Sequence, residues 1–163
     1  RREPLKGTPL LLDYFQAFLE RTGEDADLVL TGRGDVDTSG IPADRLFDAG
    51  LVSEQEMREA MAGAAVFCHP SCNESFGIVL LEAWLAGTPG LVHAGGDVLR
   101  HQCRRSGGGL WFRHYPDFEE SLLRLLRQPD LREALARSGR EYVRRVYAWS
   151  AVERRLFEAL ERM

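Results

Sequence analysis

Lysine is almost missing from this chain of 163 residues: of its 21 lysines and arginines, Lys6 alone is a lysine. A sequence that otherwise uses arginine places a compact ammonium, rather than a planar fork, at one position near its start. Cysteine is scarce and odd in number, with Cys68, Cys72 and Cys103 only. Reduced thiols in a cytoplasmic setting are the simplest expectation from that count. Long apolar runs are also lacking. None approaches the roughly 20 residues that span a bilayer, and no signal sequence opens the chain. Excess positive charge is missing too, since the net charge is -4, which argues against a dedicated nucleic-acid binder. The chain starts at Arg1 rather than a methionine, as a piece of a longer protein would.

What is present is the composition of one globular domain over residues 1–163, 44% hydrophobic and 28% charged, large enough for a core of its own. Residues 8 to 21 have helical spacing, with Thr8 as the expected N-cap and Gly23 as the stop. Strands are expected at 27–31, 46–49, 64–68, 91–93 and 110–113. A Gly/Pro/Asp-rich link over 35–42 leaves little room for a helix between the first two strands. Ser53 and Glu56 form a capping box at the start of a helix over 53–62. Helices follow over 78–86 and 97–105, and the last third is helical, with a break near Tyr147-Ala148-Trp149-Ser150 and a final helix within 147–163. Short apolar strands alternating with helices predict an α/β fold: an open, mostly parallel sheet with helices on both faces. In such sheets ligands bind beyond the carboxyl ends of the strands. Gly32-Arg33-Gly34, the stretch 70–77 and Ala94-Gly95-Gly96 all fall there.

The stretch 73–89 carries the clearest chemistry. It starts polar, turns at Gly77 and enters an almost wholly apolar helix bearing one carboxylate, Glu82. Backbone amides at such a helix start, with no Cβ on Gly77, favour a phosphate. Glu74, close by, would repel that phosphate unless cations are supplied, and Arg1 and Lys6 are the candidates. Glu82 has Ile78, Val79, Leu80, Leu81, Trp84 and Leu85 around it. It needs a hydrogen-bonding partner, either an arginine or histidine of the protein or the hydroxyls of a ligand such as ribose. Cys68, His69 and Cys72 lie close in sequence but match no zinc spacing, so no metal site is expected.

These residues resemble a known family. Pro70-Ser71, then Glu74-Ser75-Phe76-Gly77-Ile78, Leu81-Glu82-Ala83 and Ala86-Gly87-Thr88-Pro89, with seven residues between Glu74 and Glu82, are similar to the signature of retaining glycosyltransferases. The set is group 1, or family 4, of the GT-B fold. Arg1 with Lys6-Gly7, Gly32-Arg33-Gly34 and Tyr147-Ala148-Trp149-Ser150 resemble further motifs of that family. The resemblance implies a Rossmann-like, C-terminal, donor-binding half of a two-domain enzyme, with a nucleotide-diphosphate sugar as substrate and no cofactor or divalent metal. Arg1 and Lys6 would hold the diphosphate with amides near Ser75, Phe76, Gly77 and Ile78. Glu74 would contact the transferred sugar and Glu82 the ribose. Gly32, Gly34, Leu51 and Val52 would lie near the base. The acceptor would bind the N-terminal half, absent from this sequence together with the strand that usually precedes Arg1. Gly90 stands where the family often has a β-branched residue, which weakens that strand.

Other readings start from the same residues. One is a GT-B enzyme of another kind, such as a nucleotide-sugar epimerase. Another is a non-catalytic module using Arg132, Arg137, Arg140, Arg144, Arg145, Arg154 and Arg155, on the C-terminal helices, against an anionic lipid surface or a partner domain. The bland reading of those arginines is a solvated helical face.

Overall fold

The structure, a computed structural model, describes residues 6–162. Helix α1 (Thr8–Thr22) leads to β1 (Leu28–Thr31) and β2 (Leu46–Gly50), then α2 (Glu54–Gly63), β3 (Phe67–His69), α3 (Ile78–Ala86), β4 (Gly90–His93), α4 (Asp97–Ser106) and β5 (Gly109–Phe112). Three helices follow, α5 (Tyr115–Arg127), α6 (Pro129–Tyr147) and α7 (Trp149–Leu160). Every strand pairing is parallel, but the strands form two sheets, β1–β2 and β3–β4–β5, where one was expected.

Two apolar clusters fix the layers. Leu11, Leu12, Phe15 and Phe18 of α1 pack with Leu30, Leu91 and Phe112 of the strands and with Phe118, Leu122 and Leu125 of α5. On the other side, Leu80, Leu81 and Trp84 of α3 join Val92, Leu99 and Cys103, with Tyr142 and Val143 of α6. Helix α3 is anchored by Trp84. Its indole N–H donates to the Gly108 carbonyl at 2.7 Å, and the ring lies in a slot where a Cβ on Gly108 or Gly139 would come within 2.6 or 2.5 Å of it.

Several local expectations need correcting. Gly7, not Thr8, caps α1, in a left-handed conformation and without a side-chain bond. The third strand starts at Phe67, because Ala64 and Ala65 are exposed and lie outside the sheet. Gly90 makes room for α3: a Cβ there would sit 2.5 Å from Leu80 Cδ1. The β1–β2 pair is not covered on both faces. Its register partners Val29 and Phe47 are both exposed, since the crossover between the strands carries no helix to cover them. Helix α7 leaves Trp149, Leu156, Phe157 and Leu160 largely in solvent, with Trp149 74% exposed.

Candidate active site

The carboxyl ends of β3 and β4 and the starts of α1 and α3 converge on one rim. Gly77 turns the chain into α3 at φ 77, and a Cβ on it would meet Leu99 Cδ2 at 2.5 Å. Gly7 does the same for α1 at φ 74, with the Pro70 carbonyl oxygen 2.6 Å from where its Cβ would be. Both helix starts lack a side-chain cap, and neither has an acidic residue in its first turn. Helices α2, α4, α5 and α6 each carry an aspartate or glutamate there, and α7, which starts at Trp149, is the other helix that does not. First-turn amides without a side-chain cap, at the positive end of a helix dipole, are the kind of group that favours an anion.

Lys6 stands between those two helix starts. Its Nζ donates to Glu74 Oε1 at 2.6 Å and to the Asn73 carbonyl at 3.3 Å. Buried Ser71 shapes the loop beneath, its Oγ accepting from the Asn73 amide at 3.2 Å and donating to the Asn73 carbonyl at 3.3 Å. His69, the last residue of β3, places Nε2 3.5 Å from the same Glu74 oxygen. Burial alone pushes the Glu74 carboxyl up, but the Lys6 hydrogen bond and the charges of His69 and Lys6 outweigh it and hold the group below its ordinary range. Burial pushes the His69 imidazole down, more strongly than Glu74 draws it up. The result is an ionised carboxylate facing the rim, with an ammonium and a largely neutral imidazole beside it.

The other residues expected from sequence fall into place unevenly. Gly32 and Gly34, both at positive φ, follow β1, and the Gly32 amide donates to the Gly50 carbonyl at 2.7 Å. That bond brings the glycine loop beside exposed Leu51 and half-buried Val52 at the carboxyl end of β2. Ser75, Phe76 and Ile78 are exposed around Gly77. Phe76 meets Tyr147 edge-on at 5.4 Å, and the Tyr147 hydroxyl accepts from Gln102 Nε2 at 3.0 Å. Arg1 lies outside the described residues.

Glu82 differs from expectation. It is exposed and makes no ion pair or hydrogen bond among the described residues. Ile78, one turn before it, is 59% exposed and Leu85 47%, so the apolar run hides a solvent-facing side of α3. The carboxylate therefore faces solvent, where it can accept hydroxyl donors.

Sequence reasoning missed the role of His69, which it weighed only beside Cys68 and Cys72 as a metal ligand, and the Tyr147–Gln102 support behind Phe76. Only the position of His69, at a strand end immediately before Pro70, could have drawn attention to it. Cys68, His69 and Cys72 diverge. Cys68 faces the α1 core with its thiol pushed up to about 12 by burial, His69 faces Glu74, and Cys72 faces His93. Among the described residues no three metal-ligating side chains converge. Two Asp-x-Asp spacings do occur. Arg45 engages Asp25 and Asp27, while Asp37, the partner of Asp35, caps its own turn at Ser39. A cavity of about 270 Å³ lies away from this rim, between α1 and residues 36–41.

Residues 1–142 match the glycosyl transferases group 1 family. The chain belongs to that family. It is 36% identical over 166 residues to a phosphatidyl-myo-inositol mannosyltransferase of Mycobacterium leprae, covering 98% of this chain and 44% of that protein. The chain thus spans less than half the length of the curated relatives it matches. Among solved structures it resembles the sucrose-phosphate synthase of Thermosynechococcus elongatus, with a TM-score of 0.80 at 22% identity over 99% of this chain and 43% of that one. HepE of Anabaena, in complex with UDP and glucose, matches with a TM-score of 0.80 at 17% identity over 100% of this chain and 47% of that one. At those identities the likeness establishes the fold, which is the GT-B half that the sequence resembles.

Proposed function

We propose that this domain holds the nucleoside diphosphate of an activated sugar and, joined to a second domain that carries the acceptor, transfers the sugar with retention of configuration. The observation that carries this reading is the meeting of two uncapped, acid-free helix starts beside the chain's single lysine. As the glycosidic bond breaks, negative charge grows on the diphosphate, and fixed amides plus an ammonium stabilise it without reorganising. Glu74, ionised and held by Lys6, accepts hydroxyls of the sugar. Glu82, exposed one turn into α3, accepts the ribose hydroxyls, and the Gly32–Gly34 loop with Leu51 and Val52 flanks the base. Arg1 joins Lys6 on the diphosphate. Positive charge is supplied by the protein, so transfer is expected to proceed without a divalent metal or cofactor.

The relatives' name makes a mannosyl group the first sugar to test and an inositol phospholipid the first acceptor. Helix α7 would dock on the acceptor domain through Trp149, Leu156, Phe157 and Leu160. Salt-sensitive co-sedimentation with anionic vesicles would assign it to a membrane surface instead, in keeping with the exposed Arg144, Arg145, Arg154 and Arg155. A thermal-shift panel of UDP-, GDP-, ADP- and dTDP-sugars tests the central claim. Stabilisation by at least one supports it, and a folded protein that responds to none rules it out.

A further inference from the structure

The rim carries one pair of side chains that donor binding does not use. Cys72 lies two residues before Glu74, and its Sγ is 3.1 Å from Nδ1 of His93, the last residue of β4. The imidazole is fixed from other sides as well. The Gly95 amide donates to Nδ1 at 3.0 Å, and the Phe112 ring meets it edge-on at 5.1 Å. Because Gly95 donates to Nδ1, that nitrogen is bare and the ring proton sits on Nε2, which makes the Cys72 thiol the donor of its contact. Gly95 is also the residue that makes room for the pair, since a Cβ on it would lie 3.0 Å from Nδ1 and 3.1 Å from Sγ. A nucleophile beside a base, with the base held by further groups, is the arrangement that activates a thiol. The other two thiols are not so placed. Burial pushes both Cys68 and Cys103 up to about 12, so neither supplies thiolate near neutral pH.

We infer that Cys72 is a modification site that closes the donor cleft when it forms a mixed disulfide with a low-molecular-weight disulfide. The thiol proton passes to His93 Nδ1 and the sulfur attacks one sulfur of the disulfide. A new S–S bond forms as the old one breaks, and the departing thiolate takes up the proton as a free thiol. Cys72 is oxidised, half of the reagent is reduced, and a thiol reductant reverses the step. The adduct sits next to Asn73, whose carbonyl accepts from Lys6, and one residue further from Glu74. Its bulk therefore falls where the diphosphate and sugar are proposed to lie. The gating rests on the donor-binding reading given above, whereas the reactivity of the thiol does not.

Treating the purified protein with oxidised glutathione, followed by intact and peptide mass analysis and by titration of a nucleoside diphosphate, tests both parts. One adduct on Cys72 is expected, forming faster than any on Cys68 or Cys103. His93→Asn, which keeps an acceptor for Gly95 but offers no base, should slow labelling by about tenfold, a modest factor because Gly95 shares the same lone pair. The adduct should abolish nucleotide binding and reduction should restore it, while Cys72→Ser binds normally and ignores the disulfide. Labelling that favours another cysteine, or that is unchanged in His93→Asn, overturns the site. Labelling of Cys72 with nucleotide binding intact overturns the gating. If the untreated protein binds no nucleotide, the donor reading and the gating fall together, and the labelling rates still decide the site.

Discussion

Lys6 and Glu74 make the site's central contact, and their worth to folding differs from their worth to binding. The pair is half-buried, with Lys6 35% exposed, so Lys6→Ala is expected to cost about 1 kcal/mol of stability or less. Its loss on the ligand side is larger, about 10- to 100-fold in affinity for a nucleoside diphosphate, because a charge-assisted bond is removed. Calorimetry beside a denaturant titration separates the two effects. The pH dependence follows from the same residues. His69 and Glu74 are both held below their ordinary values of 6.5 and 4.5, so the unfolded chain binds protons that the folded chain does not. Each contribution is full above the unfolded value and is lost as pH falls toward the depressed one. Melting temperature should therefore drop in one step below pH 6.5 and in another below pH 4.5. His69→Gln should remove the upper step, and Glu74→Gln should shrink the lower one, to which the depressed Glu56, Asp117 and Glu119 carboxyls also contribute. Glu82 shows how far the sequence could be read. Its identity and spacing were legible from residues 74–82, but the apolar run around it concealed that Ile78 and Leu85 share its exposed side. Glu82→Gln should then leave stability within about 0.5 kcal/mol. It should weaken a ribonucleoside diphosphate and spare inorganic pyrophosphate; equal loss of both would refute the ribose role.

At the scale of elements, the site depends on where α3 begins, and that is set at both ends of the helix. Gly77 admits the left-handed turn and the approach of Leu99, while Trp84 fills the slot between Gly108 and Gly139. Trp84→Ala should cost about 3–5 kcal/mol, as a large buried ring leaves a cavity. Gly77→Ala combines a left-handed backbone, worth about 1–2 kcal/mol, with a clash against Leu99. It should also weaken diphosphate binding, since the helix start has to move. Denaturant midpoints and a nucleotide titration of each variant check both statements. The helices were legible because their periodicity and the Ser53–Glu56 box are local signals. The strand ends and the role of Gly90 were not, because they follow from which side chain arrives from another element. Gly90 lacks a β-branched side chain because Leu80 occupies that space, and nothing within the strand itself records the fact.

At the scale of the molecule, two of the apolar surfaces that the described residues leave uncovered differ in origin. Val29 and Phe47 are exposed because the crossover from β1 to β2 is too short to carry a helix over them. The brevity of that link was readable, and its consequence for the sheet face was not. Trp149, Leu156, Phe157 and Leu160 are exposed although they repeat at helical spacing, a pattern that in sequence is indistinguishable from a helix buried in its own domain. Helix α7 packs on α6 after the break at Ala148 and offers its apolar residues to solvent. The docking proposed for α7 therefore predicts that changing one of these residues costs this domain little and a two-domain enzyme much. Phe157→Glu is expected to leave the melting temperature and nucleotide binding of the domain nearly unchanged, since surface substitutions usually fall within about 0.5 kcal/mol. Sugar transfer by the complete protein should fall sharply, because a buried, unpaired carboxylate would oppose closure of the two domains. Unaltered transfer, with Phe157→Glu instead abolishing sedimentation with anionic vesicles, would move α7 from the domain interface to a membrane surface.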